Sequence, residues 1–221
     1  MSADAPNAPP PVPEVHVAAD ASHMGKGEEV NLSAMDASGL RKVFIGLGWD
    51  APSELDGHPF DVDASAFMLN RDNRVRRDTD FVFYNNLDAD DGVIKHRGDN
   101  TSGLQANKAG ATIDAEVIEI NMEAVGYDVE KIAFAVTIHN AEERHHNFGL
   151  IKNAYMRIVN VETQIELARF DLTEDASHDN SMIFGELFRD GLGWKFRAIG
   201  TGSTGGLYKI AREYGVNVAP P

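Results

Sequence analysis

The side chains best equipped for chemistry in this sequence carry oxygen, and they come in four groups. Asp61 and Asp63 stand at i and i+2, on the same side of an extended chain. Asn85 and Asn86 close an aromatic run. Asp99 and Asn100 follow Gly98 in a loop over 98–103, and Asp114 and Glu116 stand just before an apolar run that opens at Val117. All four groups fall at strand ends or in loops. Carboxylates and amide carbonyls so placed are what a hard cation prefers, about six to eight oxygens at flexible geometry for Ca2+. Asp and Asn are also the ordinary residues of turns, and that reading stands beside the metal for each group. The chain has no cysteine, which excludes disulfides and leaves structural zinc or iron–sulfur clusters without sulfur ligands.

Other constellations carry less. Asp88-Ala89-Asp90-Asp91-Gly92 resembles the start of an EF-hand loop, with Asp99 at the twelfth position. Its glycine falls one place early and its flanks read as strands, so the segment is expected to be a hairpin turn. His139, His145 and His146 lack a third ligand at a recognisable spacing and read as surface loop histidines. Nothing marks Asp61 and Asp63 as the acid and base of a glycosidase, and no G-x-S-x-G stands anywhere. The glycines of 200–206 lack the Gly-Lys-Ser/Thr of a phosphate loop and read as a turn.

Charge sharpens the first reading. The net charge is −15 over 221 residues, from 35 acids against 20 bases. Residues 50–128 alone hold 17 acids and 7 bases, so two thirds of the excess lies across the loops just named. An acidic chain of this kind does not displace counterions from nucleic acid or dock unaided on an anionic membrane. No apolar run approaches the length of a membrane span.

The elements that must position these residues read mainly as strands. Residues 1–24 are rich in Ala and Pro, without basic or apolar signal regions, and are expected to form a disordered arm. A domain is expected over 25–218. Strands are expected at Val30–Leu32, Lys42–Trp49, Asp63–Leu69, Asp80–Tyr84, Val93–His96, Val117–Met122, Lys131–His139 and Trp194–Ile199. A hairpin is expected from Tyr155–Val159 and Glu166–Asp171. Both sides of Asp63–Leu69 are largely apolar, as in a sheet covered on both faces. Two helices are expected near the C-terminus, over Met182–Phe188 and Leu207–Tyr214, the second closed by Gly215. The fold class expected is a mainly β, antiparallel sandwich with those two short helices.

Several blocks, in order, resemble the tellurium-resistance TerD-like proteins. They include Gly46-Leu47-Gly48-Trp49-Asp50, the stretches 60–67 and 80–87, Gly98-Asp99-Asn100, Asn147-Phe148-Gly149 and the run 168–177. The resemblance runs from about Gly25 to Asn217. It implies a β-sandwich that binds two Ca2+ ions through clustered acidic loops, without catalytic activity. It implies a stress-response role, with partners among other proteins of the same system and a cytoplasmic or peripheral inner-membrane location. Asp61, Asp63, Asn85, Asn86, Asp99 and Asn100 match the family pattern. The stretch ending in Asp114 and Glu116 departs from it, because Ala115 stands where the family has an acid and Lys108 lies upstream. Close cations need many carboxylates to offset their repulsion, so one good Ca2+ site is expected and a second weak or absent. A Ca2+-dependent sugar- or membrane-binding sandwich is the alternative.

Overall fold

The computed structural model describes residues 16–35, 39–50, 60–97, 114–172 and 176–219, with side chains from residue 23 onward. In chain order the elements are β1 (His16–Met24), β2 (Glu29–Asn31), α1 (Leu32–Met35), β3 (Lys42–Asp50), β4 (Val62–Leu69), β5 (Phe81–Val82), β6 (Asp88–Ala89) and β7 (Ile94–His96). They continue with β8 (Glu116–Asn121), β9 (Lys131–Ile138), α2 (Ala141–Arg144), β10 (Lys152–Asn160), β11 (Ile165–Asp171), β12 (Ser181–Asp190), β13 (Gly193–Ser203) and α3 (Gly206–Glu213). One sheet runs β1-β11-β10-β3-β8-β7-β6 and the other β2-β13-β12-β9-β4-β5. Among the described strands the pairing is antiparallel, except that β1 lies parallel to β11. The main core lies between the sheets, with Ile45, Leu47, Ile118 and Ile158 from the first and Ala64, Met68, Phe134 and Leu187 from the second.

The expected mainly β, sandwich-like class is the observed one. Every residue of β4 is buried. Its even-numbered side chains enter the main core, and Phe67 and Leu69 enter a second cluster under α3, with Ile210 and Ala211. The apolar run that makes β4 look covered on both sides is thus explained by one small helix.

The helix expected over Met182–Phe188 is instead β12, paired with β13 on one side and β9 on the other. A short apolar run has no period that separates buried helix from buried strand, and Phe184 and Leu187 are buried either way. Short helices also occur at Leu32–Met35 and Ala141–Arg144, away from the C-terminus. At the other end, His16–Met24 forms a strand where the sequence reading places the end of an arm.

Asp88–Gly92 is a hairpin turn. Its Asp90, Asp91 and Gly92 all have positive φ, and the Asp88 carboxylate accepts from the Gly92 N–H at 2.7 Å. Arg76 ties this turn to its neighbours by bonding Asp80, Asp90 and Asp128. The hydrogen bonds from Arg76 hold the exposed Asp128 carboxylate below its usual range. That contribution is complete above about pH 4 and fades as the pH falls through the depressed folded value. Asp128→Asn should therefore melt below wild type at neutral pH, with the gap closing in acid. A gap that stays constant down to about pH 2 would contradict this.

Candidate metal centre

The outer face of the six-stranded sheet carries a depression of about 380 Å3. β4 contributes Asp63, which is only 5% exposed. The end of β9 and the turn after it bring Thr137, His139 and Asn140, α2 brings Glu142 and Glu143, and the start of α3 brings Leu207 and Tyr208. Tyr84 and Asn180 complete the polar wall. Three carboxylates line the pocket and no Lys or Arg does. The field inside is therefore suited to a cation.

Local sequence explains each placement. Asp63 opens β4 opposite Thr137 of β9. Because side chains alternate along a strand, Asp63 shares its face with Phe67, the face that α3 covers. The Asp61 carbonyl accepts from the His139 N–H at 2.9 Å, which holds the two strand ends together. His139 Nδ1 then lies 4.0 Å from an Asp63 oxygen. Tyr84 meets the His139 ring edge-on at 6.2 Å. The Asn180 side-chain carbonyl accepts from the Gly206 N–H at 3.1 Å and so fixes the first turn of α3 against the pocket.

The expected ligands do not all arrive at one place. Asp63 lines the pocket and Asp61 stands two residues before it in the chain. Asn85 is exposed in the turn beside Tyr84. Asn86 spends its amide N–H on the Phe81 carbonyl at 2.6 Å, the work of a turn residue. Asp99 and Asn100 lie outside the described residues. Asp114 sits on the outer face of the other sheet, where both of its oxygens accept from Arg157 at 2.8 Å. Glu116 points into the sandwich, 3.0 Å from His96 Nε2. His96 Nε2 is also 3.2 Å from the Ala64 carbonyl of β4. Among the described residues no three His, Asp or Glu side chains converge as a closed metal cluster.

His139, read from the sequence as a surface loop histidine, is instead part of the pocket wall, and sequence reasoning passed over Glu142, Glu143, Tyr84 and Tyr208. His139 carries one legible signal: it follows directly on a strand that pairs with the Asp61–Asp63 strand. His146 is not the surface residue expected, being 4% exposed and stacked on Phe60 at 4.6 Å. His145 is exposed as expected, at a positive φ that closes α2.

The structural class is a two-sheet β-sandwich with an acid-walled depression at one end of its strands. The comparisons narrow it further. The TerD domain model matches residues 21–214, and the chain belongs to the TerD domain family. It is 47% identical to the tellurium resistance protein TerD of Alcaligenes sp over 89% of this chain and 98% of that one. It is 45% identical to general stress protein 16U of Bacillus subtilis (strain 168), over 88% and 97% respectively. The crystal structure of a TerD homologue from Streptomyces coelicolor A3(2) superposes with a TM-score of 0.62 at 21% identity, over 78% of this chain and 96% of that one, and so shares the fold. Among the described residues no helix is long and apolar enough to cross a membrane.

Proposed function

We propose that this protein is a non-enzymatic, Ca2+-binding stress-response module that serves as a scaffold in a larger assembly, in tellurite and oxidative stress resistance. The observation that carries the cation is the pocket at Asp63, with three carboxylates and no Lys or Arg in its wall. Asp61, Asp63 and Asn85, joined by Asp99 and Asn100, supply oxygens of the kind Ca2+ takes. The bound ion would supply positive charge that draws these loops together. The names of the relatives supply the stress context. The proposed partners are other stress-response proteins of the same system, and the proposed location is the cytoplasm or the inner face of the membrane.

The alternative of a Ca2+-bridged membrane contact would call for an exposed apolar tip beside the pocket. Leu192, 93% exposed in the turn after β12, is the most exposed large apolar side chain among the described residues. It follows the last residue of β12, whereas Asn180 of the pocket precedes the first. The ten residues of β12 separate the two.

Calorimetric titration with Ca2+ should find one site, with a second weak or absent. Asp63→Asn and Asp61→Ala should each lose most of that binding, and Asp99→Ala should weaken it. Ca2+ at about 100 times its dissociation constant should stabilise the fold by about 2.7 kcal/mol, and a chelator should reverse the gain. Two submicromolar sites, or a melting curve indifferent to chelator, would refute the reading.

A further inference from the structure

β1 and β2 both lie at sheet margins. β1 is the outermost strand of the seven-stranded sheet, beyond β11, and β2 the outermost strand of the six-stranded sheet, beyond β13. Residues 25–28 connect the two, and all four are exposed. Within that turn the Glu28 N–H donates to the Gly25 carbonyl at 3.1 Å, and the Gly27 N–H donates to the Ala198 carbonyl at 2.8 Å. Gly27 stands at φ +82°. Among the described residues nothing lies within 4 Å of where its Cβ would stand, so the backbone angle alone asks for glycine.

β1 is held lightly for a strand of nine residues. Among the described strands it supplies the parallel pairing, and parallel pairs are the less stable per residue. From Val17 to Ser22 five residues pass on β1, while two pass on β11 from Glu166 to Ala168. The ladder is thus broken in its middle, with His16 and Val17 paired at one end and Ser22, His23 and Met24 at the other. Ala18, Ala19 and Ala21 fall in this strand, and alanine is depleted in strands. The mooring lies next to the turn, where Met24 is buried in the core and His23 Nδ1 lies 3.6 Å from an Asp171 oxygen. β11 is fixed more firmly. It pairs with β10 on its other side and sends Leu167, Ala168 and Phe170 into the core.

We infer that β1 is an exchangeable strand, and that the edge of β11 is a self-association surface whose partner is β1 of a second copy of this chain. When β1 lifts, the backbone groups along the open side of β11 lose their partners, and such an edge is a template for another strand. β1 of a second copy fits that edge by construction. It makes the contacts that the chain's own β1 makes, and only the turn at 25–28 changes. Reciprocal exchange closes a two-fold dimer in which each β11 keeps a parallel neighbour. Residues 25–28 open from a turn into a connector of at most about 14 Å between the copies. Opening breaks the bond from Glu28 to Gly25 and releases Gly27 from positive φ. Two copies of charge −15 repel each other, so exchange is favoured by concentrated protein and by salt. The inference rests on strand topology and stands apart from the Ca2+ reading.

The test is a cross-link placed on the full chain by His23→Cys with Arg169→Cys. The two positions are register partners on the side of the sheet that carries Asp171. The chain has no other cysteine. Protein incubated concentrated in salt is diluted, oxidised at once and run on a non-reducing denaturing gel. A strand on its own chain yields a cross-linked monomer, and an exchanged strand yields a covalent dimer. Each single cysteine variant, treated alike, measures collisional dimers. The expected result is a covalent dimer above that background, enlarged by Gly27→Val. Valine resists the positive φ of the closed turn and suits an extended connector. It should raise the dimerisation constant about tenfold per turn, about a hundredfold for the two turns of a dimer. Light scattering on wild type and Gly27→Val without cysteines reads the same shift and serves if the cysteine pair unfolds the chain. Cross-links confined to monomers in both backgrounds overturn the inference. A dimer whose cross-links stay within each chain also overturns it, because another surface then joins the copies. A dimer fraction that Gly27→Val leaves unchanged does so too.

Discussion

Replacing Asp80 by alanine is expected to lower the unfolding free energy by about 3–5 kcal/mol, the usual cost of leaving one member of a buried ion pair alone. The Asp80 side chain is fully buried. Its oxygens accept from the Arg76 backbone N–H at 2.9 Å, from Arg76 Nε and Nη2 at 2.8 Å each, and its carboxylate lies 3.4 Å from Arg77 Nε. Those hydrogen bonds, Asp80 first, raise the Arg76 pKa well above its ordinary value. Alanine would take away the partner of the Arg76 backbone N–H and of its Nε at once. Asp90 would still hold Nη2 and Asp128 would still hold Nη1, which keeps the expected loss within this range. Urea denaturation measures it, and a change under about 1 kcal/mol would show the network to be worth no more than a surface pair. The effect reaches the site as well. Asp80 directly precedes β5, which leads into Tyr84 and Asn85, so Asp80→Ala should also weaken Ca2+ binding without touching a ligand.

How far the sequence foretells such features depends on whether neighbours in the chain are neighbours in space. The strands at 42–50, 116–121 and 131–138 are legible because alternation and β-branched composition are local. The hairpin of β10 and β11 is legible for the same reason. The strand at 181–190 is not, because Met182-Ile183-Phe184 reads alike as buried helix or buried strand. What decides is the pairing to β9 and β13, residues 44 or more positions away or beyond a turn. β1 is illegible because, among the described residues, it pairs with β11, some 150 residues later.

The site divides in the same manner. Asp63 is recognisable from its spacing to Asp61 and its place at a strand's start. The remaining wall comes from α2, the start of α3 and Asn180, whose approach is set by sheet order and not by any motif. Asp114 and Glu116 show the converse limit. Two acids beside a loop look alike in sequence, yet one faces Arg157 outside the sheet and the other faces His96 inside it. The difference lies in the basic side chain that waits on each face, and neither Arg157 nor His96 is near them in the chain.

Phe67→Ala should cost about as much as the loss of Asp80, about 3–5 kcal/mol, by leaving a cavity on the face of β4 away from the main core. Phe67 is fully buried. Its ring stacks on Phe81 with centroids 4.4 Å apart and planes 7° from parallel, and it meets Tyr214 at 4.9 Å. Phe81 stacks in turn on Phe83 at 4.3 Å, and Phe83 meets Tyr84 edge-on at 5.1 Å. A row of rings thus runs from the end of α3 to the pocket wall, with Phe67 where helix, β4 and β5 meet. Removing it should loosen α3, whose first turn lines the pocket beside Asn180. Two measurements separate the consequences. Denaturation should report the full loss of stability. Ca2+ affinity should fall less than in Asp63→Asn, because the carboxylate remains on β4 while only the wall around it relaxes. A loss below about 2 kcal/mol would mean that the sheet and helix collapse into the space. Ca2+ binding abolished as completely as in Asp63→Asn would mean that α3, more than Asp63, makes the site.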